Sequence, residues 1–266
     1  MSERVADSSE QRGRTGYSLI AFDLDDTLAP SKSPLPARMG EALRSLLEIT
    51  QVCVISGGQF GQFETQLLGN LHASDRELAR LHLMPTCGTR YKVHREGGWH
   101  DVYARDLTES ERTSAFRTVE EQARALGLWE EETWGPILED RGSQITFSAL
   151  GQEAPLEAKK AWDPDGSKKE RLRAAVAPLL PQLEARSGGS TSIDITRKGV
   201  DKAYGIEELS SQTGIPIADM LFVGDRLDEG GNDYPVKRLG IATFSVSDWR
   251  ETASFVEDYV TRPARI

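Results

Sequence analysis

Only two cysteines, Cys53 and Cys87, occur in 266 residues. That is too few for a disulfide framework, and neither has neighbours at metal-ligand spacing. No apolar run approaches the roughly 18–20 residues needed to span a bilayer. Basic residues are in deficit, 32 Lys and Arg against 42 Asp and Glu, for a net charge of −10. A phosphate-backbone binder needs a basic stripe to displace counterions, so nucleic acid is not an expected partner. The four histidines, His72, His82, His94 and His100, form no ligand pattern. Residues 1–16 lack the apolar segment of a signal peptide and read as a disordered tail. Together these absences lead us to expect a soluble cytoplasmic protein with no membrane partner. Its length suits one large or two modest domains, each able to bury a core.

What is present has an α/β rhythm. Leu19-Ile20-Ala21-Phe22 is a short apolar run ending in Asp23-Leu24-Asp25-Asp26-Thr27, as for a strand buried on both faces. A helical pattern follows Pro36, with Met39, Leu43, Leu46 and Leu47 on one face. Gln51 to Ile55 reads as a second strand, stopped by Ser56-Gly57-Gly58, and Phe60, Phe63, Leu67 and Leu68 recur at helical spacing. Strand and helix alternating in this way predict βαβ units and a parallel sheet. The middle differs. Gly97-Gly98 between β-prone pieces signals a hairpin. Glu109 to Leu126 reads as a charged helix, Ser143 to Leu150 and Thr191 to Ile195 as strands, Ser167 to Ala185 as a helix, and residues 151–166 as a loop. After Gly199 the α/β rhythm returns: a helix from Lys202, a strand at Met220 to Val223 ending in Gly224-Asp225, and further elements to Tyr259. The expected organisation is a tail (1–16), a Rossmann-like core (17–88 with 197–266) and an inserted α+β domain (89–196).

In open parallel sheets the ligand crevice lies beyond the carboxyl ends of the strands. Asp23, Asp25, Ser56 and Asp225 should therefore meet there, although some are about 200 positions apart. Clustered carboxylates need a counter-charge, and an all-oxygen donor set favours a hard cation such as Mg²⁺. Lys202 adds a positive charge at a helix start. Such a set suits phosphoryl transfer to a carboxylate. Asp23 is the candidate nucleophile. Asp25, two residues on and on the same side, is the candidate acid/base. Ser56 and the amides after it can bond phosphoryl oxygens, and Lys202 can stabilise charge on the transferring group.

Asp23-Leu24-Asp25-Asp26-Thr27-Leu28, Ile55-Ser56-Gly57, Lys202 and Gly224-Asp225 together resemble the four ordered motifs of the haloacid dehalogenase superfamily. The large insert resembles the cap of its subfamily IIB, of the C2B type. Ser192-Ile193-Asp194, Gly199-Val200-Asp201-Lys202 and Gly230-Gly231-Asn232-Asp233 are most similar to eukaryotic-type phosphomannomutases. The resemblance implies Asp23 as nucleophile, Asp25 as general acid/base, and catalytic support from Ser56 and Lys202. It implies Mg²⁺ held by Asp23, the main-chain carbonyl of Asp25, and Asp225. Asn232 and Asp233 would support this centre, Asp233 by helping to hold Lys202. Gly57, Arg141, Ser192 and Asp194 would bind substrate, with Arg141 gripping phosphate and the other two cap residues reaching sugar hydroxyls. Caps of this family can dimerise, so a homodimer is compatible with it.

The chain departs from the mutase pattern. Where mutases carry further phosphate-gripping arginines, it has Gln152, Lys159, and Ser31 with Lys32 beside it. A mutase needs two good anion sites, and lysine is only a point charge. The expectation is a Mg²⁺-dependent phosphatase acting on a small phosphorylated metabolite, a sugar phosphate, through an aspartyl-phosphate. A hexose-phosphate mutase is the nearest alternative. A phospho-accepting switch or a non-catalytic binding protein is the alternative from another class.

Overall fold

The structure, a computed structural model, describes residues 16–188 and 191–261. Apart from Gly16, the tail expected at residues 1–16 lies outside the described residues. The chain divides into two compact units, one running up to Tyr103 and resuming at Asp201, the other formed by Ala104–Val200. In chain order the strands are β1 (Leu19–Asp23), β2 (Gln51–Ile55), β3 (Leu81–Met84), β4 (Arg90–Arg95), β5 (Gly98–Ala104), β6 (Leu138–Asp140), β7 (Gln144–Ser148), β8 (Leu183–Ser187), β9 (Ser192–Arg197), β10 (Met220–Gly224) and β11 (Ala242–Ser245).

The first unit is built on one sheet, ordered β11-β10-β1-β2-β3-β4-β5. Its first five members are parallel, as the alternating strands and helices predict. The side chains of β1 divide with a period of two. Ile20 and Phe22 join a core with Met39, Leu43, Leu46 and Leu47 of the helix Ala37–Ile49 and with Ala253 and Val256 of the helix Trp249–Thr261. Leu19 and Ala21 point the other way, into a core with Ile206 and Leu209 of the helix Lys202–Thr213. Both faces of the strand are thus covered, which is why it reads as an unbroken apolar run.

The expected boundary of the insert moves. The Gly97-Gly98 hairpin forms, but it belongs to the core sheet: β4 pairs antiparallel with β3, His82 opposite Val93 and Leu83 opposite Lys92. Tyr91 on β4 explains the attachment, because its buried hydroxyl bonds His82 Nδ1 at 2.7 Å, while His82 Nε2 meets Gln51 Oε1 at 2.7 Å. Trp99, a residue that sequence reading assigns to the insert, packs instead on Phe60 and His94 of this unit. The compact second unit begins only at Ala104.

The second unit is α+β, as expected. Its sheet runs β6-β7-β9-β8, antiparallel throughout. Ile145, Phe147, Ile193 and Ile195 form one face, packed with Ala115 and Val119 of the helix Glu109–Ala125 and Leu172 and Val176 of the helix Ser167–Val176. The opposite face carries cross-strand polar pairs: Gln144 with Thr196, Thr146 with Asp194, Ser148 with Ser192. Two expectations fail here. The helix expected over Ser167 to Ala185 stops at Val176, because Pro178 and Pro181 cannot continue it, and residues 183–187 become β8. The expected loop 151–166 contains a helix, Leu156–Trp162, whose Trp162 is buried and donates its indole N–H to Glu130 Oε1 at 2.7 Å. Among the described residues, no helix is long and apolar enough to cross a membrane.

Glu111 ties this unit together. It closes the capping box of the helix Glu109–Ala125, taking the Thr108 backbone N–H at 2.7 Å, and accepts two bonds from Arg197 of β9 at 3.1 and 2.8 Å. The Arg197 bonds, followed by those from Thr108, hold its carboxyl down at about 2, against an ordinary 4.5. A carboxyl depressed on folding contributes stability above its unfolded value and loses it as pH falls through the folded one. Glu111→Gln is expected to lower stability by about 1–2 kcal/mol at neutral pH. In urea melts the variant should converge on the parent as pH drops from 4.5 towards 2, and a gap that stayed constant with pH would refute this account.

Candidate active site

Parallel register brings the chemistry to one edge. Asp23, the last residue of β1, lies level with Ile55 on β2, and Phe22 lies level with Val223 on β10. Ser56 and Asp225 each follow one step beyond those strands, so residues distant in sequence share the carboxyl end of the sheet. Asp23 is buried there, with 3% of its surface exposed. Gly224 precedes Asp225 for a steric reason: a Cβ at that position would lie 2.8 Å from Asp233 Cγ and from Phe222 Cε1.

Lys202 is the centre of the arrangement. It is the first residue of its helix, where a positive charge opposes the helix dipole, so its side chain needs a specific anionic partner. It finds two: Nζ lies 2.5 Å from Asp23 Oδ1 and 2.6 Å from Asp233 Oδ1. Asp233 is fully buried, and its second oxygen accepts the Arg226 backbone N–H at 3.1 Å. Burial works against the Lys202 charge, but the Asp23 and Asp233 carboxylates outweigh it and hold the amine above its ordinary value. Burial pushes Asp23 up to about 8, against the lowering pull of Lys202. Burial, and then the charge of Asp233, also raises Asp225.

Asp23, Asp225 and Asp233 each present an oxygen within 4.8 Å of the others. Three carboxylates against one ammonium leave a surplus of two negative charges, which a divalent cation neutralises and which otherwise draws protons to the cluster. The donors are all oxygen, as a hard cation requires. Both Asp233 oxygens already have partners, so Asp23 and Asp225 are the better ligands, with Asp233 securing the lysine. Thr27, which sequence reading passes over, donates to Asp225 Oδ1 at 3.2 Å, and its carbonyl accepts from Thr252 Oγ1 at 2.7 Å.

Asp25 stands apart from that carboxylate group. Its Oδ1 accepts the Lys32 backbone N–H at 2.7 Å and Gln66 Nε2 at 3.1 Å, and its Oδ2 accepts Gln62 Nε2 at 2.8 Å. Neither glutamine stands out in the sequence as a site residue. Their only sequence signal is a pair of amides four residues apart beside the apolar Phe63 and Leu67. Ser56 is buried and its Oγ accepts the Gly58 N–H at 3.1 Å. The turn after β3 braces this loop. Thr86 N–H bonds Gly58 O at 2.9 Å and Cys87 N–H bonds Ser56 O at 2.9 Å, with Thr86 (φ 49°) and Cys87 (φ 54°) both left-handed. Two consecutive non-glycine residues in that region are strained, as is common around functional sites. Asn232 is exposed.

In the second unit, Arg141 donates Nε and Nη2 to Glu139 Oε2 at 2.9 and 2.7 Å. Ser192 Oγ lies 3.0 Å from Ser148 Oγ, and Asp194 Oδ1 accepts from Thr146 Oγ1 at 2.8 Å.

Over residues 152–236 the chain matches the family model described as haloacid dehalogenase-like hydrolase. It is 23% identical to a phosphomannomutase of Encephalitozoon cuniculi, across 84% of this chain and 85% of that one. A truncated IMP-nucleotidase of Plasmodium falciparum shares the fold at a TM-score of 0.66 and 15% identity, over 93% of this chain and 71% of its own. A haloacid dehalogenase-like hydrolase of Bacteroides thetaiotaomicron does so at 0.62 and 16% identity, over 91% and 99%.

If the cluster holds a divalent cation, saturating it at 100 times Kd should stabilise the fold by about 2.7 kcal/mol. Asp225→Asn is expected to remove most of that gain in thermal melts while leaving the far-UV circular dichroism unchanged. Undiminished stabilisation of the variant would place the cation elsewhere.

Proposed function

We propose that the chain is a haloacid dehalogenase-like hydrolase, a Mg²⁺-dependent phosphatase of a small phosphomonoester, a sugar phosphate, working in the cytoplasm. The observation that carries the reading is the buried Lys202 amine bridging Asp23 and Asp233 with Asp225 alongside. Asp23 and Asp225, with the Asp25 main-chain carbonyl, would hold Mg²⁺. When bound, the cation supplies charge neutralisation between the nucleophile and the phosphoryl group.

A carboxylate oxygen of Asp23 attacks phosphorus. The bond from phosphorus to the ester oxygen breaks, and Asp25 passes its proton to that oxygen. Water then attacks the aspartyl-phosphate and returns a proton to Asp25, releasing phosphate and free Asp23. Ser56 and the Gly57 amide hold phosphoryl oxygens, while Lys202 stabilises their charge.

A phosphatase is favoured over a mutase because the insert's candidate anion grips are already engaged. Arg141 is tied to Glu139, Lys159 Nζ donates to the Gln152 carbonyl at 2.8 Å, and the Gln152 amide donates to Ser148 Oγ at 2.6 Å. The polar sheet face bearing Ser192 and Asp194 also carries Thr196, whose buried hydroxyl has no partner among the described residues. Hydroxyls, an amide and one carboxylate suit neutral sugar hydroxyls better than a second phosphate.

The test is phosphate release from a panel of hexose phosphates in Mg²⁺. Release is expected from the parent protein. Asp23→Asn should lower it about 10⁴-fold or more with the fold intact. Isomer formation outpacing release in the presence of a sugar bisphosphate would replace this reading with a mutase.

A further inference from the structure

The helical segment that follows the Ser56-Gly57-Gly58 turn is irregular. Phe60–Gln62 is α-helical, Phe63–Leu68 is a π-helix, and Gly69–Leu71 returns to α. A π-helical turn is rare and is frequently found at functional sites. Gln62 and Gln66 sit at and inside this turn. Gln66 is 97% buried, an unusual position for a glutamine unless its amide is satisfied.

Both amides are committed to one another and to Asp25. Gln62 Nε2 donates to Asp25 Oδ2 at 2.8 Å and to Gln66 Oε1 at 2.9 Å. Gln66 Nε2, its orientation set by that second bond, donates to Asp25 Oδ1 at 3.1 Å. The three side chains close a ring. Gln62 also lies against Gly58: a Cβ added to that glycine would come within 2.7 Å of Gln62 Cδ. The absence of a side chain at 58 is therefore what lets Gln62 reach Asp25 past the turn.

An ionised carboxylate has four lone-pair sites. The Lys32 backbone N–H and Gln66 occupy both on Oδ1, and Gln62 occupies one on Oδ2. Among the described residues, one site on Oδ2 remains. We propose that Gln62 and Gln66 are positioning residues that lock the Asp25 carboxylate in a single rotamer, so that this one site on Oδ2 exchanges the proton with the departing ester oxygen. The proposal rests on the phosphatase reading and goes beyond it, because it assigns the acid/base step to one oxygen and to two residues that touch no substrate.

The experiment is rapid-quench measurement of phosphoenzyme formation in Mg²⁺, using a hexose 6-phosphate and p-nitrophenyl phosphate. The alkoxide leaving group of the sugar needs the proton, whereas nitrophenolate departs without it. Gln62→Met and Gln66→Met keep the volume and remove the amides. Each is expected to slow phosphorylation by the hexose phosphate about 10- to 100-fold, with less than about 3-fold change for the aryl ester and KM unchanged. If the buried Gln66 variant does not fold, the half-buried Gln62 variant decides the matter. Equal losses on both substrates would mean a merely structural role and overturn the proposal, as would no loss on either. A parent protein that forms no phosphoenzyme from either substrate would overturn the phosphatase reading, and this inference with it. An active parent with unaffected variants would overturn this inference alone.

Discussion

A buried ammonium held between two carboxylates is the constraint on which the rest of the site depends. Lys202 is 1% exposed, and its amine contacts Asp23 and Asp233. An isolated ion at that depth costs on the order of several kcal/mol, and good geometry with every donor satisfied is what makes the arrangement tolerable. The neighbouring residues follow from this requirement. Gly224 has no side chain because Asp233 needs the space. The Arg226 amide takes the other Asp233 oxygen, and Thr27 takes one oxygen of Asp225. The surplus negative charge left over makes the cluster a candidate site for a divalent cation.

The Asp25 carboxylate is held by different physics. Asp25 is half-buried, lies outside the group of Asp23, Asp225 and Asp233, and is held by neutral donors, two amides and a backbone N–H. The loop that presents it passes through Asp26 at φ 61°, a left-handed conformation that aspartate tolerates better than most residues. Two carboxylates two residues apart therefore have different surroundings, one paired with an ammonium and one with amides. Strain accompanies this separation. The left-handed pair Thr86 and Cys87, which braces the Ser56 loop, persists because the backbone bonds around it hold it in place.

Much of the core was legible because its strands are buried on both faces and read as apolar runs, and because helix periodicity survives in sequences such as Met39, Leu43, Leu46 and Leu47. The errors have local causes. β3, only four residues long, was too short to stand out. The hairpin β4–β5 is legible as a hairpin, but its place in the core sheet is not, since a strand pair shows nothing in its own sequence about which sheet it will extend. Pro178 and Pro181 should have ended the helix earlier than expected. Gln62 and Gln66 are not legible as site residues because a glutamine within an amphipathic pattern looks like an ordinary solvated residue until burial and partners are known.

From the order of its acidic strand ends and its Ser-Gly-Gly turn, the chain alone determined that these side chains would gather at one sheet edge. Residue type and position after a buried strand are enough for that, because parallel strands must share a carboxyl end. Tertiary structure alone decided which carboxylate pairs with the lysine, which donors hold Asp25, and that Arg141 is held by Glu139. Those outcomes depend on differences of a few tenths of an ångström in contact distance, which only the packed fold fixes. Hydrogen bonds and ion pairs are steep functions of such distances, and composition and spacing do not record them.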